Sequence, residues 1–277
     1  MRVRFAGFAR TNPRLLAGFV MIGILLFVAI FASILSTHDP RQISVNMVAP
    51  PSQDHFLGTD GLGRDVFSIV LHGTRASLMV GITAALISAL VGIVLGVIAG
   101  YFGGKADTVI GEFINAFMMM PTFFLVLIVV ALFGSGMTNV MIVLGLTGWT
   151  ANAKIMRAQA MSLRNRTFVK AASAIGESRP RIIFTHIIPN GIYPIISNTA
   201  MGVCTAIMTE ASLSFLGLGD PNIVSWGQLI ANGRHFITTG WWICVFGGVA
   251  LVYTVLSFFL IGDGISILVN PKLRNVV

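Results

Sequence analysis

Long stretches without a charged residue are the feature that most limits how this chain can fold. A helix needs about 20 mainly apolar residues to cross about 30 Å of hydrocarbon. Five stretches of that order occur, at 15–35, 76–104, 113–153, 187–209 and 236–262. The third is interrupted by turn-forming residues at 134–139, which indicate two helices joined by a tight hairpin. The sequence therefore predicts an all-α polytopic membrane protein with six transmembrane helices.

The composition excludes a water-soluble fold. Only 10 % of the residues are charged and the mean hydropathy is +0.87, whereas about a quarter of a soluble domain is charged. The basic residues before the first apolar run resemble the start of a signal peptide. However, that run is longer than the roughly 7–15 residues of a signal-peptide core, so the sequence predicts an uncleaved first helix.

The basic residues set the predicted orientation, because cytoplasmic segments of membrane proteins are rich in Lys and Arg. If the N-terminus is inside, only four of the 18 Lys and Arg lie outside: Arg41, Arg64, Arg75 and Arg234. Both termini are therefore predicted to be cytoplasmic. This topology explains the net charge of +8, which leaves no reason to expect nucleic-acid binding.

Two long connections divide the chain. The outer connection at 36–75 contains three prolines and four aspartates, and the inner one at about 154–186 contains seven basic residues and one acid. We expect an N-terminal segment 1–75 with a tail, the first helix and an extracytoplasmic loop. A five-helix core at 76–268, with a cytoplasmic loop at about 154–189, and a cytoplasmic tail at 269–277 complete the chain.

The inner loop has the pattern of two short helices. An Ala-rich segment ends at Gly176, a residue suited to a left-handed helix cap, and Pro180 suits the first turn of a second helix. An exposed helix on a rigid membrane body can dock into a cleft on a cytoplasmic partner. It can also lie on anionic lipid. Composition alone does not choose between these two interpretations.

The spacing in this loop resembles the EAA loop of binding-protein-dependent ABC importer permeases. Ala171, Ala172, Gly176 and the pair Ile188-Pro189 match that pattern, while Lys170 stands where the family usually has glutamate. The salt bridge of that glutamate is therefore not carried over. By this resemblance, the residues expected to couple to an ATPase are Phe168, Lys170, Ala171, Ala172, Ser173, Ala174, Gly176, Glu177 and Pro189.

Three further segments resemble the C-type permeases of dipeptide, oligopeptide and nickel importers. One is the fifth-helix exit at 210–219 with Ser225-Trp226-Gly227, and another is Asn270-Pro271. The third is an extracytoplasmic motif whose characteristic residues are His55, Gly58, Thr59, Asp60, Gly63, Arg64, Asp65 and Arg75. The four segments occur in the expected order and on the expected sides of the membrane, and with the six predicted spans they extend the resemblance over nearly the whole chain.

The resemblance implies a type I importer permease of the MetI-like fold in a prokaryotic plasma membrane. Its expected partners are a homologous second permease, two cytoplasmic ATPases, an extracytoplasmic solute-binding protein and membrane lipid. ATP and Mg²⁺ would be bound by the ATPases, and this chain would be neither an enzyme nor a cofactor-binding protein. Peptides are the favoured cargo, with nickel chelates, glutathione or another small solute as the alternatives.

Two other classes of membrane protein fit less well. A secondary transporter would be expected to have coupling-ion carboxylates near the bilayer midplane and an internal repeat, and neither is evident in the sequence. A membrane-embedded enzyme would need a motif such as His-Glu-x-x-His or Gly-x-Ser-x-Gly, and neither is present. The glycines at 58, 61 and 63 lack the Gly-Lys-Ser/Thr ending of a phosphate loop.

Several residues are candidates for the pore or for helix interfaces. Gly92, Gly96 and Gly100 recur on one helix face, where they would allow close helix packing. Met118-Met119-Met120-Pro121 predicts a kink whose methionines either line the pore or pack. Glu210 and Asp263 are ionisable residues near hydrocarbon depth, with either a structural or a transport role.

The histidines do not predict a metal site. His38, His55 and His72 are evenly separated along the chain at intervals of 17, which is not ligand spacing such as i,i+4. Each is therefore expected to be solvated or satisfied by local hydrogen bonds.

Overall fold

The computed structural model describes residues 12–269, and that part of the chain is built from helices. No strand occurs within it, although Thr59 and Asp65 form an isolated β-bridge. The basic residues at 2, 4 and 10, the pair Asn270-Pro271 and the tail beyond residue 269 lie outside the described residues. Helix α1 (Pro13–Leu35) begins where the side chain of Asn12 accepts a hydrogen bond from the backbone of Leu15, a typical N-terminal cap.

The remaining helices follow in chain order. They are α2 (Val66–Phe102), α3 (Gly104–Met119), α4 (Thr122–Phe133), α5 (Met137–Thr147), α6 (Trp149–Arg164), α7 (Thr167–Ala174), α8 (Arg179–Ile182), α9 (Ile188–Gly191), α10 (Tyr193–Phe215), α11 (Trp226–Gly233) and α12 (Trp241–Val269). A π-helical turn (Ile183–Ile187) joins α8 to α9, and a 3₁₀ turn (Arg234–Phe236) follows α11.

Three helices, α1, α2 and α12, are each long and apolar enough to cross a membrane among the described residues. Two bent pairs raise that number to five: α3 with α4 at 82°, and the α8–α9 segment with α10 at 62°. The predicted span after the hairpin is divided at Gly148 into α5 and α6, and neither helix is long enough by itself. Six spans therefore stay a prediction.

Two helices extend further than the apolar runs that predicted them. Helix α2 begins at Val66 because the Asp65 carboxylate accepts the Ser68 N–H at 2.8 Å and caps it. The predicted division at residue 75 thus falls inside this helix. At the inner loop, α6 continues to Arg164, so the first basic residues assigned to the loop lie on a helix.

Helix α2 is the centre of the packing and lies closest to α6. A methyl group added at Gly92 would lie 2.5 Å from Cβ of Asn152, and one added at Gly96 would lie 2.5 Å from the Ala153 carbonyl oxygen. Gly100 faces the backbone of Arg157 in the same way. These three glycines therefore allow two helix backbones to approach more closely than any larger residue would permit.

Contacts at the two ends of the bundle hold the helices together. At the end that carries the connection between α1 and α2, here called the cap end, Trp242 Nε1 donates to the Thr59 carbonyl at 3.1 Å. At the opposite end, here called the basic end, Arg14 pairs with Asp263 at 3.0 Å. Helix α1 is thus tied to α12 at the basic end, and Asp263 has a structural partner there.

Candidate functional site

A cavity of about 460 Å³, here called the central cavity, lies among α2, α4, α5, α6 and α10. Its lining contains hydroxyl and amide side chains but, within residues 12–269, no ionisable group. The polar lining residues are Ser88, Thr122, Thr147, Thr150, Asn152, Asn198, Thr199, Thr205 and Thr209. A cavity with this lining can exchange hydrogen bonds with a polar molecule without imposing a fixed charge on it.

A ladder of hydrogen bonds joins three of the cavity walls. The Asn152 amide donates to Ser88 Oγ at 3.2 Å, and the Asn198 amide donates to Asn152 Oδ1 at 2.9 Å. Buried amides need such partners because an unpaired polar group is costly away from water. The ladder therefore links α2, α6 and α10 and fixes the orientation of the polar groups beside the cavity.

The Met-Pro segment forms the break between α3 and α4. Helix α3 ends at Met119, and Met120 and Pro121 adopt extended conformations at the 82° bend. The three methionines are exposed, and neither they nor Pro121 line the cavity, whereas the next two residues, Thr122 and Phe123, do. The break thus brings the start of α4 to the cavity.

Glu210 is buried near the cap end of α10. Its Oε1 accepts a hydrogen bond from Ser214 Oγ at 2.8 Å, and Oε2 has no hydrogen-bond partner among the described residues. It lines a small pocket of about 20 Å³ together with Ser225 and Gln228, apart from the larger cavity.

The sequence analysis missed the cavity residues. Asn198, Gly202, Thr205 and Thr209 recur at intervals of three and four on α10, which places them on one helix face. This polar stripe within an apolar span was the available signal. The Met-Pro segment, which the sequence analysis predicted instead as a possible pore segment, lies next to the lining residues Thr122 and Phe123 without lining the cavity itself.

At the basic end, residues 165–191 form a segment that we call the coupling segment. Its first helix, α7, turns Val169 and Ala172 into an apolar cluster with Met156 and Ala160 of α6. The remaining predicted coupling residues of α7 are exposed: Phe168, Lys170, Ala171, Ser173 and Ala174. The helix therefore has one face attached to the bundle and another that is free to contact a partner.

The turn after α7 has the conformation that the sequence predicts. Gly176 has φ +86°, in the left-handed region that glycine adopts without strain. Glu177 follows and lies 3.1 Å from His186 Nε2, which joins the two halves of the coupling segment. Ile175, beside the glycine at the tip, is 79 % exposed.

The second half of the coupling segment contains the π-helical turn. Pro189 has no N–H, so it cannot donate the regular hydrogen bond to the carbonyl four residues earlier. Here the Ile188 N–H bonds to the Ile183 carbonyl, which widens the turn just before the proline. The helix then bends between Gly191 and Tyr193 to enter α10.

The predicted extracytoplasmic motif forms a compact loop at the cap end. Arg64 and Asp60 make an ion pair at 2.6 Å, and Asp60 also accepts two backbone N–H groups. Thr59 Oγ1 accepts the Ala49 N–H at 2.8 Å, and Gly58 and Gly63 have positive φ. The motif thus has a clear structural role in holding the connection folded.

Two other motif residues connect helices. Arg75 donates to the Ile30 carbonyl at 2.8 Å and to Ser33 Oγ at 3.0 Å, which attaches α2 to α1. His55 lies 3.0 Å from the Asp65 carboxylate that caps α2.

In the loop between α10 and α11, the Met137 N–H donates to Asp220 and holds the pKa of that carboxyl below its ordinary value.

Comparison with known proteins gives matches over most of the chain. The model of the family described as "Binding-protein-dependent transport system inner membrane component" matches residues 92–275. The probable D,D-dipeptide transport system permease protein DdpC of Escherichia coli (strain K12) is 35 % identical over 94 % of this chain and 88 % of its own length. The oligopeptide transport system permease protein OppC of Bacillus subtilis (strain 168) is 34 % identical over 96 % of this chain and 88 % of its own length.

Solved structures share the fold at lower sequence identity. A structure of the MetNI methionine ABC transporter in an inward-facing conformation matches with a TM-score of 0.58 at 16 % identity, over 76 % of this chain and 96 % of the matched chain. A second crystal form of that transporter matches with a TM-score of 0.55 at 17 % identity.

Proposed function

The chain belongs to the family of binding-protein-dependent transport system inner membrane components, and from that premise we propose the machine in which it works. It is the permease subunit of an ATP-driven peptide importer in a prokaryotic plasma membrane. It pairs with a homologous second permease, and the two form a path for di- or oligopeptides delivered by an extracytoplasmic binding protein. The names of its relatives as dipeptide and oligopeptide permeases support this cargo.

The single observation that carries the proposal is the lining of the central cavity, in which hydroxyl and amide groups alternate with apolar residues and no described residue is charged. A peptide presents N–H and C=O groups at every residue, whatever its side chains are. Hydroxyls and amides can bond to both kinds of group, while the absence of fixed charge among the described lining residues avoids selecting one side-chain charge. We therefore assign the cavity as this chain's part of the translocation path.

The exposed face of the coupling segment is assigned to a cytoplasmic ATPase. Five of the carried-over residues, Phe168, Lys170, Ala171, Ser173 and Ala174, are exposed on α7, while Ala172 attaches the opposite face of the helix to the bundle. ATP and Mg²⁺ belong to two such ATPases, and this chain acts as a conduit and lever without a cofactor or catalytic group. Closure of the ATPase pair would move the coupling segment and change access to the cavity.

We also propose six spans with both termini cytoplasmic, and the division into 1–75, 76–268 and 269–277, whose first boundary falls inside the continuous helix α2. The positions of the connections between helices support this topology. The α1–α2 connection, the α4–α5 hairpin and the α10–α11 loop all lie at the cap end, and the last two are joined by the hydrogen bond from Met137 to Asp220. The α5–α6 pair then supplies the span that completes the count. The basic residues of the coupling segment lie at the opposite end, as the positive-inside rule requires.

The test compares two substitutions on α10. Thr205 lines the cavity and Ser212 is exposed outside it, and each hydroxyl donates to the carbonyl four residues earlier. Thr205→Leu should reduce ATP-dependent uptake of labelled di- and tripeptides by proteoliposomes that contain the full transporter and its binding protein. Ser212→Leu should retain uptake. Equal uptake by both variants would show that the central cavity is not part of the translocation path.

The partners are tested separately by purification from the native membrane in mild detergent. The tagged chain should recover a second permease and ATPases with nucleotide-binding motifs. Recovery of the chain alone, under conditions in which a known ABC importer remains assembled, would contradict the proposed machine.

A further inference from the structure

Three side chains that can bind a metal ion meet at the cap end. His38 follows the end of α1, His55 belongs to the connecting loop, and Asp65 caps the start of α2. One ligand atom from each residue lies within 4.8 Å of the others. The two imidazole rings lie 4.7 Å apart between their centroids. Separation along the sequence concealed this cluster because three different segments contribute to it.

The carboxylate is shared between the helix cap and the two histidines. Asp65 Oδ2 accepts the N–H of Ser68 at 2.8 Å and its hydroxyl at 2.7 Å. The other oxygen, Oδ1, lies 3.0 Å from His55 Nδ1 and 4.0 Å from His38 Nδ1. One oxygen thus supports the fold, and the other is directed at both rings.

We propose that His38, His55 and Asp65 bind one divalent transition-metal ion of the Zn²⁺ class. Two imidazoles and one carboxylate, with water in the fourth position, form a ligand set that Zn²⁺ prefers. Mg²⁺ and Ca²⁺ prefer oxygen ligands and are disfavoured by the two nitrogens. The Ser68 bonds to the far oxygen orient the carboxylate, as the groups behind metal ligands commonly do.

A purely structural cluster explains these residues less completely. The hydrogen bond to Asp65 is sufficient to account for His55. The His38 N–H donates to Ser68 Oγ at 3.2 Å, which holds its backbone beside the helix cap but does not account for the direction of its ring. The His38 ring contacts the hydroxyl of Thr37 at 3.0 Å and lies against a second imidazole. It is also 37 % exposed, whereas His55 is 13 % exposed and Asp65 is buried, so the site is open to solvent on the side of His38.

The ion would join the end of α1 to the loop and to the start of α2. None of the three residues lines the central cavity among the described residues, so the ion is assigned as a structural component and not as cargo. Its expected effect is to hold α1 against the rest of the bundle at the cap end.

The test uses the purified full-length chain, carrying an affinity tag without histidine, with Co²⁺ and Zn²⁺ as the probes. The wild type should bind one Co²⁺ with the visible ligand-field bands of a four-coordinate site, and Zn²⁺ should displace it. His38→Gln keeps the His55–Asp65 contact and should weaken binding by at least about tenfold. His72→Gln is the matched control, because His72 bonds to the Ser68 carbonyl outside the cluster.

A second variant and a stability measurement protect the test against misfolding. His38→Cys replaces one zinc ligand by another and should restore Zn²⁺ binding. Without metal, the unfolding temperature of His38→Gln should equal that of the wild type. Addition of Zn²⁺ should raise the unfolding temperature of the wild type, His38→Cys and His72→Gln, but not that of His38→Gln. Absence of a four-coordinate Co²⁺ spectrum in the wild type, or equal affinity in His38→Gln, would overturn the proposal.

Discussion

Replacement of Ile175 by asparagine tests whether the coupling segment docks an ATPase through its tip. Ile175 lies at the end of α7 beside Gly176 and is 79 % exposed. Complete burial of an isoleucine side chain contributes about 1.5–3 kcal/mol. If the partner covers the exposed fraction, Ile175→Asn should lose about 2 kcal/mol of docking free energy. That loss corresponds to roughly 30-fold weaker ATPase binding.

The same substitution at the opposite end of the bundle provides the matched control. Ile43 lies in the connection at the cap end and is 66 % exposed, so Ile43→Asn makes an equal chemical change far from the cytoplasmic partners. Both variants should fold, because each side chain is already mostly in contact with solvent or lipid.

The assay measures the affinity of the ATPase subunits for the permease pair held in lipid nanodiscs. Ile175→Asn should bind them roughly 30-fold more weakly, as estimated above, and should lose binding-protein-stimulated ATP hydrolysis. Ile43→Asn should match the wild type in ATPase affinity. If the two variants had the same ATPase affinity, the argument that exposed apolar area at the tip is covered by the partner would be refuted.

The other predictions concern packing, conformation and pH. Gly96→Val should lower the unfolding temperature by several degrees, since overpacking costs about 1–3 kcal/mol. Gly23→Val should leave it unchanged, because Gly23 has no neighbour within 4 Å of the added carbon. Thermal unfolding in detergent measures both variants. Gly176→Ala should cost about 1–2 kcal/mol because φ is +86°, and it should reduce uptake while membrane insertion, measured by fractionation, is retained. Asp220→Asn should destabilise the chain at neutral pH. Because the folded pKa lies below the ordinary 3.8, the stability difference from the wild type should persist above that pH and disappear as the pH falls through the lowered pKa.

Periodicity and hydropathy predict local structure well in this chain. The apolar runs correspond to helices, the glycine-rich sequence after α4 forms a hairpin, and Gly176 ends α7 in a left-handed conformation. These features depend on residues that are neighbours in sequence. The predicted start of α2 is wrong because the charged Arg75 interrupts the uncharged stretch, whereas the helix continues through it from the cap at Asp65.

Features that depend on contacts between residues far apart in the sequence could not be predicted from it. The central cavity is lined by five helices, and its polar residues are dispersed among apolar ones along the sequence. The approach of His38 to His55 depends on how the cap-end loop folds back onto α2. The spacing of these residues in the sequence does not predict the cavity or the His38–His55 contact, because the rest of the fold determines which distant segments meet.

Helix α6 connects the two regions assigned to transport. Its N-terminal half contributes Asn152 to the polar ladder beside the cavity. Closer to its C-terminus, Met156 and Ala160 pack against Val169 and Ala172 of α7. Because the glycine face of α2 is in close contact with α6 along this length, we expect α6 not to bend between the two regions. A displacement of the coupling segment would therefore move α6 and α2 together as one rigid pair, and the cavity wall that they share would move with them.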